Sequence, residues 1–275
     1  MKIALAQLNF TVGDIKANTK KIIDAVERAK TEGADLVVFA EFAVCGTPAY
    51  GLLTKTTFLT LCEEAIESIA TKCHGIAAIV GTPYLTAEGP ISAAAFIQNG
   101  DIEYIGKRYV TARREMGYIV GSSIGSQTVK IAGKNIKVVI GDDLSRMEDL
   151  DEDIDAVISV NARRYGKGIL SRRFDKVSRL AFQEGRDIVL INQVGGAGDI
   201  VYDGTSGIIS NEGKLMFVLK SFEEDFQIFD TESNREPIDL PFTPYNDRTR
   251  MIYQAACLGL RDYFHKNGYT KACVG

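Results

Sequence analysis

The chain has 275 residues, a formal net charge of -4, 45% hydrophobic residues and 25% charged residues. That length is near the limit of one large core, and the mild negative charge gives no reason to expect nucleic acid or an anionic membrane as a partner. No apolar run approaches the roughly 20 residues a membrane-crossing helix needs, and Met1 leads directly into an apolar strand, so a cytoplasmic protein with no signal peptide is expected.

The five cysteines, Cys45, Cys62, Cys73, Cys257 and Cys273, are odd in number and never form a C-x-x-C pair. Reduced thiols are expected, with no disulfide framework and no zinc site. The two histidines, His74 and His265, are too few for a multi-His metal centre and speak against a His-based triad. The adjacent Cys73-His74 pair reads as a helix end, and no metal is expected.

Residues 2–9 alternate like a strand, and residues 18–31 place Ile22, Ile23, Ala25, Val26 and Ala29 along one helical stripe that ends at Gly33. Residues 34–40 form an apolar strand fit for burial on both faces, delivering Glu41 at its carboxyl end. A second amphipathic helix spans 58–73. Strands follow at 75–84, 91–98 and 102–109, with Asn99-Gly100 a strong hairpin signal and Lys107 near the last strand's end. Residues 109–126 have no clean period.

A hairpin around Gly133 joins 127–132 to 134–140, whose strand stops at Gly141-Asp142-Asp143. The order then repeats: a strand at 155–161, a basic amphipathic helix at 167–183, a strand at 187–194, a hairpin of 202–210 with 214–219, and a last strand at 226–230. Two such halves packed sheet against sheet give an α/β fold, a four-layer α-β-β-α sandwich. Parallel α/β sheets place chemistry at strand carboxyl ends, which singles out Glu41, Lys107 and Gly141. Gly195-Gly196-Ala197-Gly198 lacks the third glycine and following helix of a dinucleotide fingerprint.

Residues 231–247 hold Pro237, Pro241 and Pro244 and read as a linker arm; 248–266 read as a helix capped at Asn267-Gly268; and 269–274 start a new strand. The expected organisation is one domain over 1–230, a linker over 231–247, and over 248–275 a connecting helix with the first strand of a truncated second domain.

These segments resemble the nitrilase, or carbon-nitrogen hydrolase, superfamily, and within it the glutaminase domains of the glutamine-dependent NAD synthetase branch. The likeness runs through Ile3-Ala4-Leu5-Ala6-Gln7-Leu8-Asn9, Val37-Val38-Phe39-Ala40-Glu41-Phe42, Gly106-Lys107-Arg108-Tyr109, Asn192-Gln193-Val194-Gly195-Gly196, Asp203-Gly204 and Leu258-Gly259-Leu260-Arg261-Asp262-Tyr263. The resemblance implies a nitrilase-type sandwich and an acyl transfer in which a cysteine thiolate attacks the glutamine amide. Glu41 would move the proton, and Lys107 would stabilise the oxyanion. It also implies that ammonia passes to a C-terminal synthetase domain, that ATP and Mg serve only that domain, that this domain needs no cofactor, and that the protein is a homo-oligomer.

At the position matching the nucleophile the chain reads Ile140-Gly141-Asp142-Asp143-Leu144-Ser145, with Gly141 in place of cysteine. Neighbouring segments also depart from the pattern: Tyr109-Val110-Thr111-Ala112-Arg113-Arg114-Glu115 follows Lys107, with Glu115 the remnant of that loop's acid, and Arg163-Arg164 follow Asn161-Ala162. Glu115, Asp142, Arg163 and Arg164 are therefore candidate substrate-pocket residues. The expectation is a glutaminase-like domain unable to hydrolyse glutamine by the thiolate route. The alternatives are an amidohydrolase with a displaced nucleophile, for which Cys45 and Ser145 are the nearest groups, and a non-catalytic ligand-binding or assembly module. A Glu41–Lys107 ion pair with a purely structural role is the bland reading beside these.

Overall fold

A computed structural model describes residues 1–113, 115–147, 150–233, 236–239 and 248–274. Most of the expected linker, including Pro241 and Pro244, and Arg114 of the loop after Lys107 lie outside the described residues.

The first half runs β1 (Lys2–Gln7), α1 (Ile15–Thr31), β2 (Leu36–Phe39), α2 (Thr56–Ala70), β3 (Ala77–Thr86), β4 (Gly89–Gln98) and β5 (Asp101–Gly106). The second runs β6 (Thr128–Ile131), β7 (Lys134–Ile140), β8 (Ala156–Asn161), α3 (Ile169–Glu184), β9 (Asp187–Asn192), β10 (Val194–Ala197), β11 (Ile200–Asp203), β12 (Gly207–Ile209), β13 (Leu215–Val218), β14 (Asp225–Asp230) and α4 (Arg248–Lys266). Among the described residues two six-stranded sheets form, in the orders β14-β1-β2-β3-β4-β5 and β13-β12-β9-β8-β7-β6, with a separate β10-β11 ribbon.

Side-chain alternation builds the layers. In β1, Ile3 and Leu5 face the second sheet while Ala4 and Ala6 face the helices. In β7, Val138 and Ile140 join the inter-sheet core and Val139 packs toward α3. Helices α1 and α2 cover the first sheet with Ile22, Val26, Ile66 and Ile69, and α3 covers the second with Leu170, Phe174, Val177 and Ala181. The result is the four-layer α-β-β-α sandwich.

Local signals explain the element ends. Asp14 caps α1 by accepting from the Ala17 backbone N–H at 3.1 Å, one of the donors a helix start leaves unsatisfied. Asn99 and Gly100 turn the β4–β5 hairpin with φ of 55° and 92°, the positive pair that a two-residue type I′ turn needs.

The span 202–210, expected as one strand, is two. Thr205 has φ 52°, and Ser206 N–H donates to the Gln7 side chain at 2.9 Å instead of to a ladder neighbour. The upstream piece, β11, pairs with β10, so the strand expected over 187–194 also ends early, at Asn192. The strand expected at 269–274 is not formed: the segment is exposed, Tyr269 N–H donates back to the Phe264 carbonyl at 2.9 Å, and no strand pairing is made among the described residues.

Helix α4 lies on the β10–β11 ribbon. Its Asp262 carboxylate accepts from Gly196 N–H at 2.7 Å and Asn9 Nδ2 at 2.6 Å, and Lys266 Nζ donates to the carbonyls of Phe10 and Gly196, both at 2.9 Å. Its expected apolar stripe is only partly used: Ala255 and Leu258 are buried, while Ile252, Leu260 and Tyr263 are exposed.

Candidate functional site

The site sits where the carboxyl ends of β2 and β7 and the end of β5 converge. Glu41 follows β2 and is tied to the second sheet by its N–H, which donates to the Asn161 carbonyl at 3.2 Å. Behind it, Gly81 in β3 lies so close that a Cβ there would stand 2.2 Å from the Ala40 carbonyl oxygen and 2.6 Å from Glu41 Cα. Lys107 is the first residue past β5. Its N–H donates to the Ser92 carbonyl at 2.9 Å and its own carbonyl accepts from Ser122 N–H at 2.8 Å. The Asp143 carboxylate accepts the next two backbone N–H groups, Arg108 at 2.8 Å and Tyr109 at 2.9 Å.

Lys107 Nζ lies 3.0 Å from Glu41 Oε1 and 2.8 Å from Glu115 Oε2, and Ser92 Oγ donates to the same Glu41 oxygen at 2.7 Å. The Lys107 and Glu41 side chains are 3% and 4% exposed. Burial alone depresses the Lys107 ammonium, but the charges of Glu41 and Glu115 outweigh it and hold the group above its ordinary value of 10.5. Glu115 is raised above 4.5, first by burial and then by the charge of Glu41.

Gly141 ends β7 and opens a short 3-10 helix, Gly141–Arg146, with φ +55°. That left-handed conformation is costly for any residue with a Cβ. The next residue, Asp142, takes bonds from the Thr111 hydroxyl and from Arg163 Nη1, the latter at 3.1 Å. Burial pushes its carboxyl up, and these donors more than reverse that, leaving it below its ordinary value. Arg163 reaches across the site: Nη2 donates to the Gly141 carbonyl at 2.9 Å and Nε to Asn161 Oδ1 at 3.2 Å.

Glu41, Lys107, Glu115, Gly141, Asp142, Arg163 and Arg164 line one cleft of about 620 Å³. The structure thus brings all seven singled-out positions together. It adds Thr47, Tyr50 and Tyr202 to the walls and Ser92 behind Glu41. Burial raises the Tyr202 phenol above its ordinary value, and the Thr47 side chain partly offsets this. Ser92 lies in the middle of an apolar strand and carries no local signal of a role. Asp143 was readable as one of two acids after Gly141, but the sequence does not tell which acid faces the cleft and which caps the Lys107 loop.

Neither nearby nucleophile enters the cleft. Cys45 is fully buried, its Sγ bonded to the Gly46 carbonyl at 3.3 Å, and burial beside Cys62 pushes its thiol well above the ordinary value. Ser145 Oγ donates to the Asp142 carbonyl at 2.8 Å, and its residue lines a neighbouring cavity instead. Among the described residues no group of His, Cys, Asp and Glu has the arrangement of a metal site. What remains is a preorganised, buried pair of charges at the end of a buried strand. It can polarise or hydrogen-bond an amide, but it carries no thiol.

Comparison with known proteins relates this architecture to the carbon-nitrogen hydrolases. The carbon-nitrogen hydrolase family profile matches residues 2–121, a span that contains both charges and stops before Gly141. The Nesterenkonia AN1 amidase of the nitrilase superfamily superposes with a TM-score of 0.72 at 20% identity, covering 92% of this chain and 96% of the amidase. Residues 2–121 thus carry a carbon-nitrogen hydrolase domain match, on a fold shared with nitrilase-superfamily structures.

More narrowly, it is homologous to the N-terminal carbon-nitrogen hydrolase domain of glutamine-dependent NAD synthetases. It is 31% identical over 288 aligned residues to that synthetase from Xylella fastidiosa, covering 100% of this chain and 53% of the relative. The structure of the Acinetobacter baumannii synthetase, determined with adenosine diphosphate, matches with a TM-score of 0.83 at 27% identity, over 97% of this chain and 52% of that one. The chain thus spans about half the length of the curated relatives it matches.

Proposed function

We propose that this chain is the glutaminase-like domain of an NAD synthetase in which glutamine hydrolysis through a thiolate does not run. Gly141 carries the proposal. It occupies the strand end facing Glu41 and Lys107 and has no side chain to attack a carbonyl. A mutant of the Nesterenkonia sp. AN1 amidase adds the acetamide moiety of fluoroacetamide covalently at its active-site cysteine. That chemistry needs a sulfur within near-ångström reach of the substrate carbon.

The altered neighbours support the same reading. Arg163 spans from Gly141 to Asp142 and projects into the cleft, where a bound amide would lie. In this reading the domain serves as a structural and assembly module in a cytoplasmic homo-oligomer. The Glu41–Lys107 pair persists because removing one partner strands the other's charge. Residues 231–247 link the domain to a C-terminal synthetase region that uses free ammonia, and ATP and Mg act only there. A displaced nucleophile is disfavoured by the burial of Cys45 and by the position of Ser145 outside the cleft.

Fluoroacetamide tests this by peptide mass spectrometry. Alkylation confined to the exposed Cys257 and Cys273 is the expected result. An adduct on any residue lining the cleft would refute the proposal.

A further inference from the structure

A second cavity, of about 380 Å³, runs along α3 on the other side of Arg163 from the Glu41 cleft. One helical stripe supplies one wall: Ile169, Arg172, Arg173, Lys176, Val177 and Leu180 recur at the spacing that places residues on one helix face. The apolar members continue into Leu144 and Leu190, so the interior is greasy, while the cations stand along it.

Among the described residues the charges on the cavity lining do not cancel. Arg173 is neutralised by a two-armed pair with Asp203 at 2.8 and 3.0 Å, and Arg163 by Asp142 at 3.1 Å. Asp142, the one acid on this lining among the described residues, is fully engaged by Arg163 and the Thr111 hydroxyl. Arg172 and Lys176 form no ion pair among the described residues. Arg172 bonds only to the carbonyls of Gly168 and Lys167.

These two cations are four residues apart on one face, where like charges repel. Arg172 also sits in the first turn of a 16-residue helix whose N-cap, Gly168, offers no side-chain bond. A helix start carries partial positive charge and disfavours a further cation. Among the described residues, two exposed cations without ion partners thus stand four residues apart near the positive end of a helix, beside an apolar cavity.

We propose that this cavity is a binding site for a small organic anion with an apolar body. The anion's carboxylate or equivalent head lies between Arg172 and Lys176, and its body lies against Leu144, Val177 and Leu180. The cavity adjoins the Glu41 cleft and shares Asp142, Arg163 and Ile169 with its lining, but Arg172 and Lys176 lie outside that cleft, so the proposal stands whether or not the cleft hydrolyses amides.

The test is fluorine NMR titration of the intact protein with 4-fluorobenzoate, with 4-fluorobenzyl alcohol as uncharged control. Saturable binding of the benzoate and none of the alcohol is expected. Arg172→Glu and Lys176→Glu, both on the exposed helix face and checked for folding by circular dichroism, each weaken binding at least tenfold. Lys176→Ala weakens it less, Leu180→Trp abolishes it by filling the cavity, and Glu41→Gln leaves it unchanged. No saturable binding, equal binding of the alcohol, binding indifferent to both charge reversals, or loss in Glu41→Gln would overturn the proposal. So would displacement of the benzoate by equimolar inorganic phosphate, which has no apolar body.

Discussion

Lys107 Nζ stands 3.0 Å from the point a Cβ on Gly141 would occupy, with Glu41 Oε2 3.4 Å from the same point. The site's two charges therefore converge on the one position that has no side chain. Gly141→Cys puts a thiol between them but has to accept φ +55° and displace the Lys107 ammonium. Gly141→Ala and Gly141→Cys are both expected to destabilise by about 1–3 kcal/mol, the range for a non-glycine residue held in a left-handed conformation. Urea denaturation checks this; equal or greater stability in both variants would contradict the geometry.

Removing the buried ammonium strands two facing carboxylates. Lys107→Met is expected to cost about 3–5 kcal/mol, as for one partner of a buried pair. Adding Glu41→Gln should recover part of this, because one of the two stranded carboxylates is then gone and the repulsion between them with it. A double variant less stable than Lys107→Met alone, measured by chemical denaturation, would count against a mutual pair.

Acid titration of Glu115 has a definite sign. The fold holds this carboxyl above 4.5, through burial and then the charge of Glu41, so it binds the proton more tightly than the unfolded chain does. The resulting stability is present below 4.5 and is lost as pH rises through the folded value. Wild-type stability minus that of Glu115→Gln should therefore fall as pH rises above 4.5. A difference that grows with pH would reverse the assignment. Lys107, held above 10.5, adds its own loss only in alkali.

Gly81 allows the close approach that places Glu41 by having no side chain. A Cβ at that position would meet the Ala40 carbonyl oxygen at 2.2 Å, so Gly81→Ala has to push β2 and Glu41 away from β3. A destabilisation of about 1–3 kcal/mol is expected, as for an overpacked core. A crystal structure of the variant with Glu41 unmoved would contradict it.

The layers were readable because β2 is apolar and buried on both faces, a pattern that a sandwiched sheet needs. The hairpins announced themselves through Asn99-Gly100 and Gly133. The break at Gly204-Thr205-Ser206 was not readable, because it depends on Gln7, 199 residues away in sequence from Ser206. Ser92 and Gly81 looked like ordinary strand residues; their roles arise only when β3 and β4 pack beside Glu41. Residues 269–274 have strand composition, but a strand needs a neighbour, and the described chain supplies none.

The most direct measurement is ammonia release from glutamine by the purified protein, compared with Glu41→Gln. The account predicts release at the level of the buffer blank and no difference between the two proteins. Ammonia release by the unmodified protein that disappears in Glu41→Gln would contradict it.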